Sequence, residues 1–494
     1  MHKTSLFAYP KQDLIAGTVV FLIALPLCLG IAVACGVPPV SGLIAGVVGG
    51  IVVPLWSRAP LSVTGPAAGL TSIVLFEITR LGGIEPFLAA VVLAGILQLG
   101  FGLLKTGKFS ALVPSSMIKG MLTAIGITIV LKQVPVALGV GGGLSDVLQG
   151  VHWGSALISL ISLGVLYGWK HTPLAKIQIL PAALVVVVLG AILQVLFVGQ
   201  GLLALNPEQL VNIPSGGFEA LRSALPRPDF GTLGSSELWI AAFTIAVVAS
   251  IETLLSVQAV DRLDPLKRHS PPDRELVAQG MANAISGLLG GLPVTSVIVR
   301  SGANVAAGGR ERLSAVFHGI LLVIAILFLS PLLNQVPLAC LAAVLIQVGL
   351  NLAKPALIRA QYHLGLNQFL PFLLTILSVL ALDLLKGVII GIVVGVFFVL
   401  RQNLIGAIEQ RKESDGSITI RFLRDITFLS KPALMNLLDE LDDGIQLKII
   451  GTGEYVDHDT KESLATFLED AHTRNIQVQL VDIDLKGASA GGGH

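Results

Sequence analysis

Long apolar segments separated by short polar ones fill most of the chain between residues 14 and 404. A helix needs roughly 20 apolar residues to cross a bilayer. Twelve segments approach that length: 14–34, 40–55, 86–104, 110–131, 154–169, 177–198, 237–260, 276–290, 311–333, 337–352, 367–384 and 387–404. Two more, which begin near Ser62 and Pro293, are shorter and contain Gly and Pro. The pattern predicts an α-helical polytopic membrane protein with about fourteen transmembrane segments.

A polar segment over residues 199–236 separates two halves, about 11–198 and 237–404. After residue 408 the chain has the pattern of a water-soluble domain. Strands are expected over 418–422, 446–450 and 476–481, and amphipathic helices over 431–441 and 460–473. Strands that alternate with helices indicate a small α/β domain. The predicted organisation is a transmembrane domain over 1–408, a cytoplasmic α/β domain over 409–486 and a flexible tail over 487–494.

The composition agrees with a membrane protein. Charged residues make up 13% of the 494 residues and hydrophobic residues 53%, with a mean hydropathy of +0.83, whereas soluble domains carry about 25% charged residues. A net charge of +1 argues against a nucleic-acid partner. The three cysteines lack metal-ligand spacing, and no catalytic motif is found, so neither an enzyme nor a resident cofactor is expected.

Basic residues are distributed unequally between alternate polar loops. With the N-terminus inside, sixteen fall on the inner side: Lys3, Lys11, Arg58, Lys105, Lys108, Lys170, Lys176, Arg262, Lys267, Arg268, Arg274, Arg310, Arg312, Lys354, Arg359 and Arg401. Five fall on the other side: Arg80, Lys132, Arg222, Arg227 and Lys386. Because basic loops stay in the cytoplasm, both termini are expected to be cytoplasmic and residues 199–236 external.

The two interrupted segments carry the candidate chemistry. Residues 61–71 read LSVTGPAAGLT, and residues 293–302 read PVTSVIVRSG. Each joins a short extended stretch to a half-length helix. Interrupted segments in matching positions of two halves point to the substrate site of a transporter. Helix N-termini offer unpaired N–H groups and about half a positive charge, so the pair predicts a compact anion site.

Two charged residues lie at membrane depth. Arg300 begins the second half-helix, where it either adds positive potential for the anion or pairs structurally with an acid such as Glu252. Glu252, with Ser256 one turn later, either binds a hard cation such as Na⁺ or a proton, or balances Arg300. Ionisable residues inside a membrane are functional candidates by default. This favours the functional interpretation of Arg300 and leaves both interpretations of Glu252 open.

Several motifs resemble the SulP family of anion transporters. They are Leu25-Pro26, Val37-Pro38-Pro39-Val40-Ser41-Gly42-Leu43, Thr64-Gly65-Pro66, Glu252-Thr253-Leu254-Leu255-Ser256, Gln279-Gly280-Met281-Ala282-Asn283, and Gly291-Leu292-Pro293 with Arg300 seven residues on. The likeness covers nearly the whole chain. It implies seven-plus-seven inverted repeats, core and gate subdomains with elevator-type alternating access, a homodimer and a C-terminal STAS domain.

The resemblance also implies the site residues. It places the anion at the starts of the two half-helices: Ala67, Ala68, Gly69, Val299, Arg300 and Ser301. The coupling cation, Na⁺ or H⁺, is expected at Glu252, Ser256 and Ser296.

The expected function is secondary active transport of a small inorganic anion across the cell membrane. Residues 62–71 are similar to the SulP subgroup associated with carbonic anhydrases, which favours bicarbonate. Sulfate transport by the same family, anion exchange, and an anion channel or electromechanical sensor are alternatives. A nucleobase permease of the same architecture is another, although Arg300 argues against it.

Overall fold

A computed structural model describes residues 6–108, 114–140, 147, 150–173, 180–382, 384–405, 408–413, 416–423, 425–426, 430–451, 455–483 and 485. The chain divides into two compact units. One spans residues 1–363 and 372–392, and the other spans residues 364–371 and 393–494.

Apolar helices dominate the first half of the chain. Its elements are α1 (Pro10–Ala34), α2 (Pro39–Trp56), β1 (Thr64–Pro66), α3 (Thr71–Leu81), α4 (Ile84–Leu103), α5 (Ser115–Ala137), α6 (Trp153–Gly168) and α7 (Ala182–Phe197). A single 3₁₀ turn, Ala68–Leu70, connects β1 to α3. Pro10 and Pro39 stand at the first helical position of α1 and α2, where a missing N–H costs no hydrogen bond.

Helix α8 (Gly217–Ala224) lies within the 199–236 segment. The second half then repeats the order of the first. Its elements are α9 (Ser236–Leu263), α10 (Pro272–Leu288), β2 (Val294–Ser296), α11 (Ile298–Ala306), α12 (Leu313–Phe328), α13 (Ser330–Leu333), α14 (Leu338–Leu352), α15 (Pro355–His363), α16 (Leu366–Ala381) and α17 (Leu384–Ile405). In both halves two helices precede a strand that leads into a half-length helix. The predicted polytopic helical fold with two strand/half-helix segments is confirmed. The short helices α8, α13 and α15 are additions.

Within the described residues, six helices are long and apolar enough to cross a membrane, and several shorter apolar helices accompany them. Close backbone approach holds neighbouring helices together. A Cβ atom on Gly50 of α2 would stand 2.8 Å from the Cα atom of Gly319 on α12. Lipid supplies no hydrophobic drive between helices, so such close packing stabilises the bundle.

The second unit contains a four-stranded sheet. Its elements are β3 (Ile408–Lys412), β4 (Ile418–Phe422), α18 (Lys431–Asp439), β5 (Gln446–Gly451), α19 (His458–Thr473) and β6 (Gln477–Val481). The strand order is β3-β4-β5-β6; β3 pairs antiparallel with β4, and the other neighbours pair parallel. Three strands and both helices match the predicted α/β pattern. The predicted 408/409 boundary and the STAS assignment remain predictions, and the 487–494 tail lies outside the described residues.

Candidate functional site

The strands β1 and β2 lie side by side in the interior of the first unit, which contains most of the apolar helices and is called the transmembrane unit below. They pair antiparallel, with Thr64 opposite Ser296 and Pro66 opposite Val294, and all six of their residues are buried. The Asn283 side chain of α10 bonds both backbone groups of Val294 at the start of β2: its Oδ1 accepts from the Val294 N–H at 2.6 Å, and its Nδ2 donates to the carbonyl at 3.1 Å. This amide therefore attaches β2 to α10.

Both half-helices begin without a side-chain cap. Ala67 and Val297 occupy the N-cap positions, and neither side chain accepts a hydrogen bond. The first turns close through Leu70 N–H to Ala67 O at 3.2 Å and Ser301 N–H to Val297 O at 3.0 Å. Five earlier N–H groups therefore have no acceptor among the described residues: those of Ala68, Gly69, Ile298, Val299 and Arg300. Such groups bind anions.

The two half-helix starts lie at opposite ends of the short ladder that β1 and β2 form. Each strand has three residues. At about 3.3 Å per residue, the half-helix starts are therefore on the order of 10 Å apart. Both half-helices also contact α9. Ile298 and Val299 are 43% and 53% exposed and Ala68 is half-buried, whereas Ala67 and Gly69 are buried. The accessible surface of this site is therefore formed by Ala68, Ile298 and Val299.

Arg300 is completely buried. Its Nη2 donates to the Pro66 carbonyl at 3.2 Å, and its Nε and Nη1 have no hydrogen-bond partner. Nη1 packs against the Cα atom of Gly65, where a Cβ would collide with it. No ion pair joins Arg300 to Glu252 or to another acid within the described residues. A buried cation without an acidic partner is costly, and a bound anion would offset that cost.

Ser301 does not direct its hydroxyl towards the half-helix starts. Its Oγ accepts from Val63 N–H at 2.9 Å and donates to Val297 O at 2.8 Å. It is buried. The side chain therefore joins α11 to the segment before β1, and it is the backbone of the 298–301 turn that is open to an anion.

The three residues expected to hold a coupling cation lie on two elements. Glu252 and Ser256 are one turn apart on α9, and the Glu252 carboxylate contacts the backbone of Gly69. Ser296 of β2 reaches α9 through its N–H, which donates to Thr253 Oγ1 at 3.2 Å, while its hydroxyl shares a 2.6 Å hydrogen bond with Ser62. Thr253 is thus a polar neighbour of this group that sequence reasoning did not select.

Sequence reasoning also missed His318. This residue of α12 is fully buried, both ring nitrogens lack a hydrogen-bond partner, and it lies within electrostatic range of Arg300. A histidine in an otherwise apolar segment was a usable signal, because polar residues at membrane depth are rarely incidental. The sequence did not reveal that it would lie near Arg300.

A cavity of about 250 Å³ lies beside α3. Its lining includes Ser72, four residues after Ala68, and the basic residues Arg80, Lys132 and Lys386. The acid of the lining, Glu77, forms a 2.8 Å ion pair with Arg80. Arg80 also donates to the Glu237 carbonyl at the start of α9, so the cavity lies at the end of the bundle nearest the 199–236 segment. Its excess of basic side chains favours anions.

A polar cluster joins three helix ends at the opposite end of the bundle. Arg268 donates at 2.7 Å to both Asp264, after α9, and Glu311, before α12. Asp13 of α1 accepts from the backbone N–H groups of Arg310 and Glu311. Burial opposes ionisation of Asp264, but hydrogen bonds from Arg268 and from the Leu266 N–H outweigh it and hold the pKa of Asp264 below its ordinary value.

A family model, the sulfate permease family, matches residues 11–375. The chain belongs to this family. The match covers well over half of the chain, and it confirms the SulP resemblance of the sequence motifs. The sulfate permease family consists of transporters, so the chain is a membrane anion transporter rather than an enzyme.

Individual proteins agree with this assignment. The chain is 31% identical over 405 residues to the putative sulfate transporter YvdB of Bacillus subtilis, covering 80% of this chain and 74% of that one. The transmembrane domain of a cyanobacterial bicarbonate transporter, BicA, superposes with a TM-score of 0.66 at 26% identity, covering 78% of this chain and 98% of that one. SLC26A9 matches in fold, with a TM-score of 0.79 at 17% identity over 98% of this chain and 86% of that one.

Proposed function

We propose that this sulfate permease family member is a secondary active transporter of bicarbonate, coupled to Na⁺ or H⁺. The arrangement of Arg300 carries the proposal: a fully buried guanidinium with two unpartnered N–H-bearing nitrogens adjoins two uncapped half-helix starts. A small anion between the two starts would accept from N–H groups of the turns and lie in the field of the Arg300 charge. The similarity to BicA and the 62–71 motif support bicarbonate.

The anion would bind between the turn at Ala67, Ala68 and Gly69 and the turn at Val299, Arg300 and Ser301. Backbone N–H groups of both turns would donate to its oxygens, and the Arg300 charge would add to the two helix dipoles. Both half-helices directly follow strands of the same two-stranded ladder, β1 and β2. They can therefore move as a single body, as an elevator-type mechanism requires.

Coupling follows from the contact between Glu252 and Gly69. An ionised carboxylate next to the N–H groups of the first turn repels a second negative charge there. A Na⁺ ion held by Glu252, Ser256 and Ser296, or a proton on Glu252, would remove that repulsion. The cation and the anion would then bind cooperatively, which is the thermodynamic requirement for symport.

Sulfate is the second candidate substrate, favoured by the 31% identity to the putative sulfate transporter YvdB. Both anions present oxygens to N–H donors, so the donor set alone accommodates either. Sulfate carries the larger charge, and a site with a single buried arginine suits the monovalent bicarbonate better.

We further propose that the protein acts as a homodimer in the cell membrane with both termini in the cytoplasm. The unit with the mixed four-stranded sheet would be a STAS-like module in assembly or regulation. It carries none of the proposed site residues.

Uptake into proteoliposomes tests the proposal. The full chain is reconstituted, and uptake of radiolabelled bicarbonate and sulfate is measured with an inward Na⁺ gradient, with an inward H⁺ gradient and with neither. Protein-free liposomes correct for CO₂ that crosses the bilayer unaided. Saturable bicarbonate uptake that a cation gradient accelerates is expected. Uptake of sulfate alone would replace the first candidate with the second, and gradient-independent uptake would refute coupling.

A further inference from the structure

A crevice larger than the cavity beside α3 contains no residue of β1 or β2 in its lining. Its volume is about 570 Å³, within the range of small-molecule sites. Its walls come from four helices and the segment after α8, and the members are Ile44, Val47, Val48, Phe218, Leu221, Arg222, Leu225, Pro226, Arg227, Leu288, Leu289, Val323, Ile326 and Leu327. Twelve of these fourteen residues are apolar and two are arginines.

This crevice lies at one end of the bundle. Its lining residues on α10 and α12, which are Leu288, Val323, Ile326 and Leu327, belong to the last two turns of those helices, and Ile44 lies in the second turn of α2. The short helix α8 therefore lines the crevice at the end of the bundle where α10 and α12 end. The segment after α10 also contacts the segment after α8, because a Cβ atom on Gly290 would stand 2.6 Å from the Pro226 carbonyl oxygen.

Helix α8 has the pattern of a helix that lies in a membrane surface. Phe218 and Leu221, three residues apart, line the crevice together with Leu225, which directly follows the helix, whereas Glu219 and Ser223 do not line it. Phe218 is 68% exposed. Amphipathic helices with this arrangement bury their apolar face at the level of the lipid headgroups.

The two arginines at the rim of the crevice are exposed cations. Arg222 and Arg227 form no ion pair among the described residues, although Glu219 is on the same helix as Arg222. Guanidinium groups bind phosphate oxygens in a bidentate manner. An apolar crevice of a membrane protein, lined also by two exposed guanidinium groups, matches one class of molecule, an acyl chain attached to an anionic headgroup.

We propose that this crevice binds an anionic phospholipid. The acyl chain would lie between α2, α10 and α12, and the headgroup phosphate would bind Arg222 and Arg227. By bridging α8 to the ends of α10 and α12, the lipid would fix the 199–236 segment on the transmembrane unit. The site is independent of the half-helix starts.

The test compares lipids retained by the full chain. The protein is reconstituted in nanodiscs of mixed phosphatidylglycerol and phosphatidylcholine, released, and examined by native mass spectrometry. Each basic side chain near an anionic headgroup contributes on the order of 1 kcal/mol, so two arginines predict a roughly 30-fold preference for phosphatidylglycerol. The Arg222→Gln/Arg227→Gln variant should lose the preference. The matched variant Lys354→Gln/Arg359→Gln, which removes two exposed charges elsewhere, should keep it.

Two further arms separate the lipid from other ligands. Leu221→Trp, which fills the crevice from α8 and leaves both arginines in place, should reduce retention of either lipid. Inorganic phosphate should not displace phosphatidylglycerol. Displacement by phosphate would show a simple anion site, and equal lipid retention by the parent and the double arginine variant would overturn the proposal. Thermal unfolding in pure phosphatidylcholine checks that the variants fold.

Discussion

The carboxylate of Glu252 lies directly against the backbone of Gly69. A Cβ atom on Gly69 would stand 2.8 Å from Glu252 Oε2, closer than side chains pack in folded proteins. The start of the first half-helix can therefore approach α9 this closely only because residue 69 is a glycine. The contact joins the proposed anion turn to the proposed cation ligand.

Gly69→Ala should abolish most transport, because the added methyl group displaces the carboxylate or the turn. Gly302→Ala is the matched control, since nothing lies within 4 Å of a Cβ at Gly302. An alanine in helix α11 should be neutral or stabilising by up to about 1 kcal/mol. Uptake and thermal unfolding of both variants are compared. Normal uptake by Gly69→Ala would show that the contact has no functional role.

Glu252→Gln should separate anion transport from its driving gradient. The amide keeps the size of the side chain and removes the charge that holds Na⁺ or a proton. Anion exchange should partly survive, while acceleration by a cation gradient is lost. Uptake with and without the gradient, in the same liposomes, measures this. A variant that keeps the full gradient effect would assign Glu252 to structure.

The length of the apolar runs was sufficient to predict the long helices and the two strand/half-helix segments, but not the short helices α8, α13 and α15. Runs such as 14–34 are too long and too apolar for any soluble element, and Gly65-Pro66 cannot continue a membrane helix. Strand β3 was missed for a physical reason. Its sequence IEQRK is mostly exposed, so it carries no hydrophobic alternation.

The partners of the site residues could not be predicted, because they come from distant parts of the chain. Sequence alone left Arg300 with an acid such as Glu252 as a candidate partner. The structure instead gives Arg300 the Pro66 carbonyl, 234 positions away. Likewise, Thr253 receives the Ser296 N–H across 43 positions, a pairing that depends on how α9 packs on β2. The number of residues between two positions does not show whether Arg300 will reach Pro66 or whether Ser296 will reach Thr253.

The Asp264–Arg268–Glu311 cluster should make stability depend on acid pH. The folded pKa of Asp264 lies below its ordinary value of 3.8. Its contribution is therefore complete above that value and is lost as the pH falls through the lower folded pKa. Arg268→Gln should lower the free energy of unfolding near neutral pH by about 2 kcal/mol and flatten its decline below pH 3.8. Unfolding midpoints of parent and variant across acid pH test this, and parallel curves would contradict it.

Cysteine labelling tests the orientation. Ser215 is exposed in the 199–236 segment, and the native Cys28, Cys35 and Cys340 are buried. Ser215→Cys should therefore react with a membrane-impermeant maleimide in intact cells, while the parent chain does not react. Lys354→Cys, expected in the cytoplasm, should react only after the cells are opened. The reverse pattern would invert the proposed topology.

Arg300→Gln should weaken anion binding without unfolding the protein. The two half-helix starts still supply N–H donors and partial positive charge, but the unit charge is lost. At an effective dielectric near 20 and a separation of several ångströms, that charge contributes on the order of 2 kcal/mol, so affinity should fall by roughly tenfold or more. Arg300→Lys should recover part of the loss, since an ammonium reproduces the charge but not the planar fork.

The measurement is the concentration dependence of uptake, with thermal unfolding as the control for folding. Because Arg300 donates to Pro66 O, a purely structural role would lower the unfolding midpoint and leave the affinity of the surviving protein unchanged. A role in binding predicts the opposite: weaker affinity at a similar midpoint. An unchanged affinity in Arg300→Gln would mean that the backbone N–H groups of the two turns bind the anion by themselves.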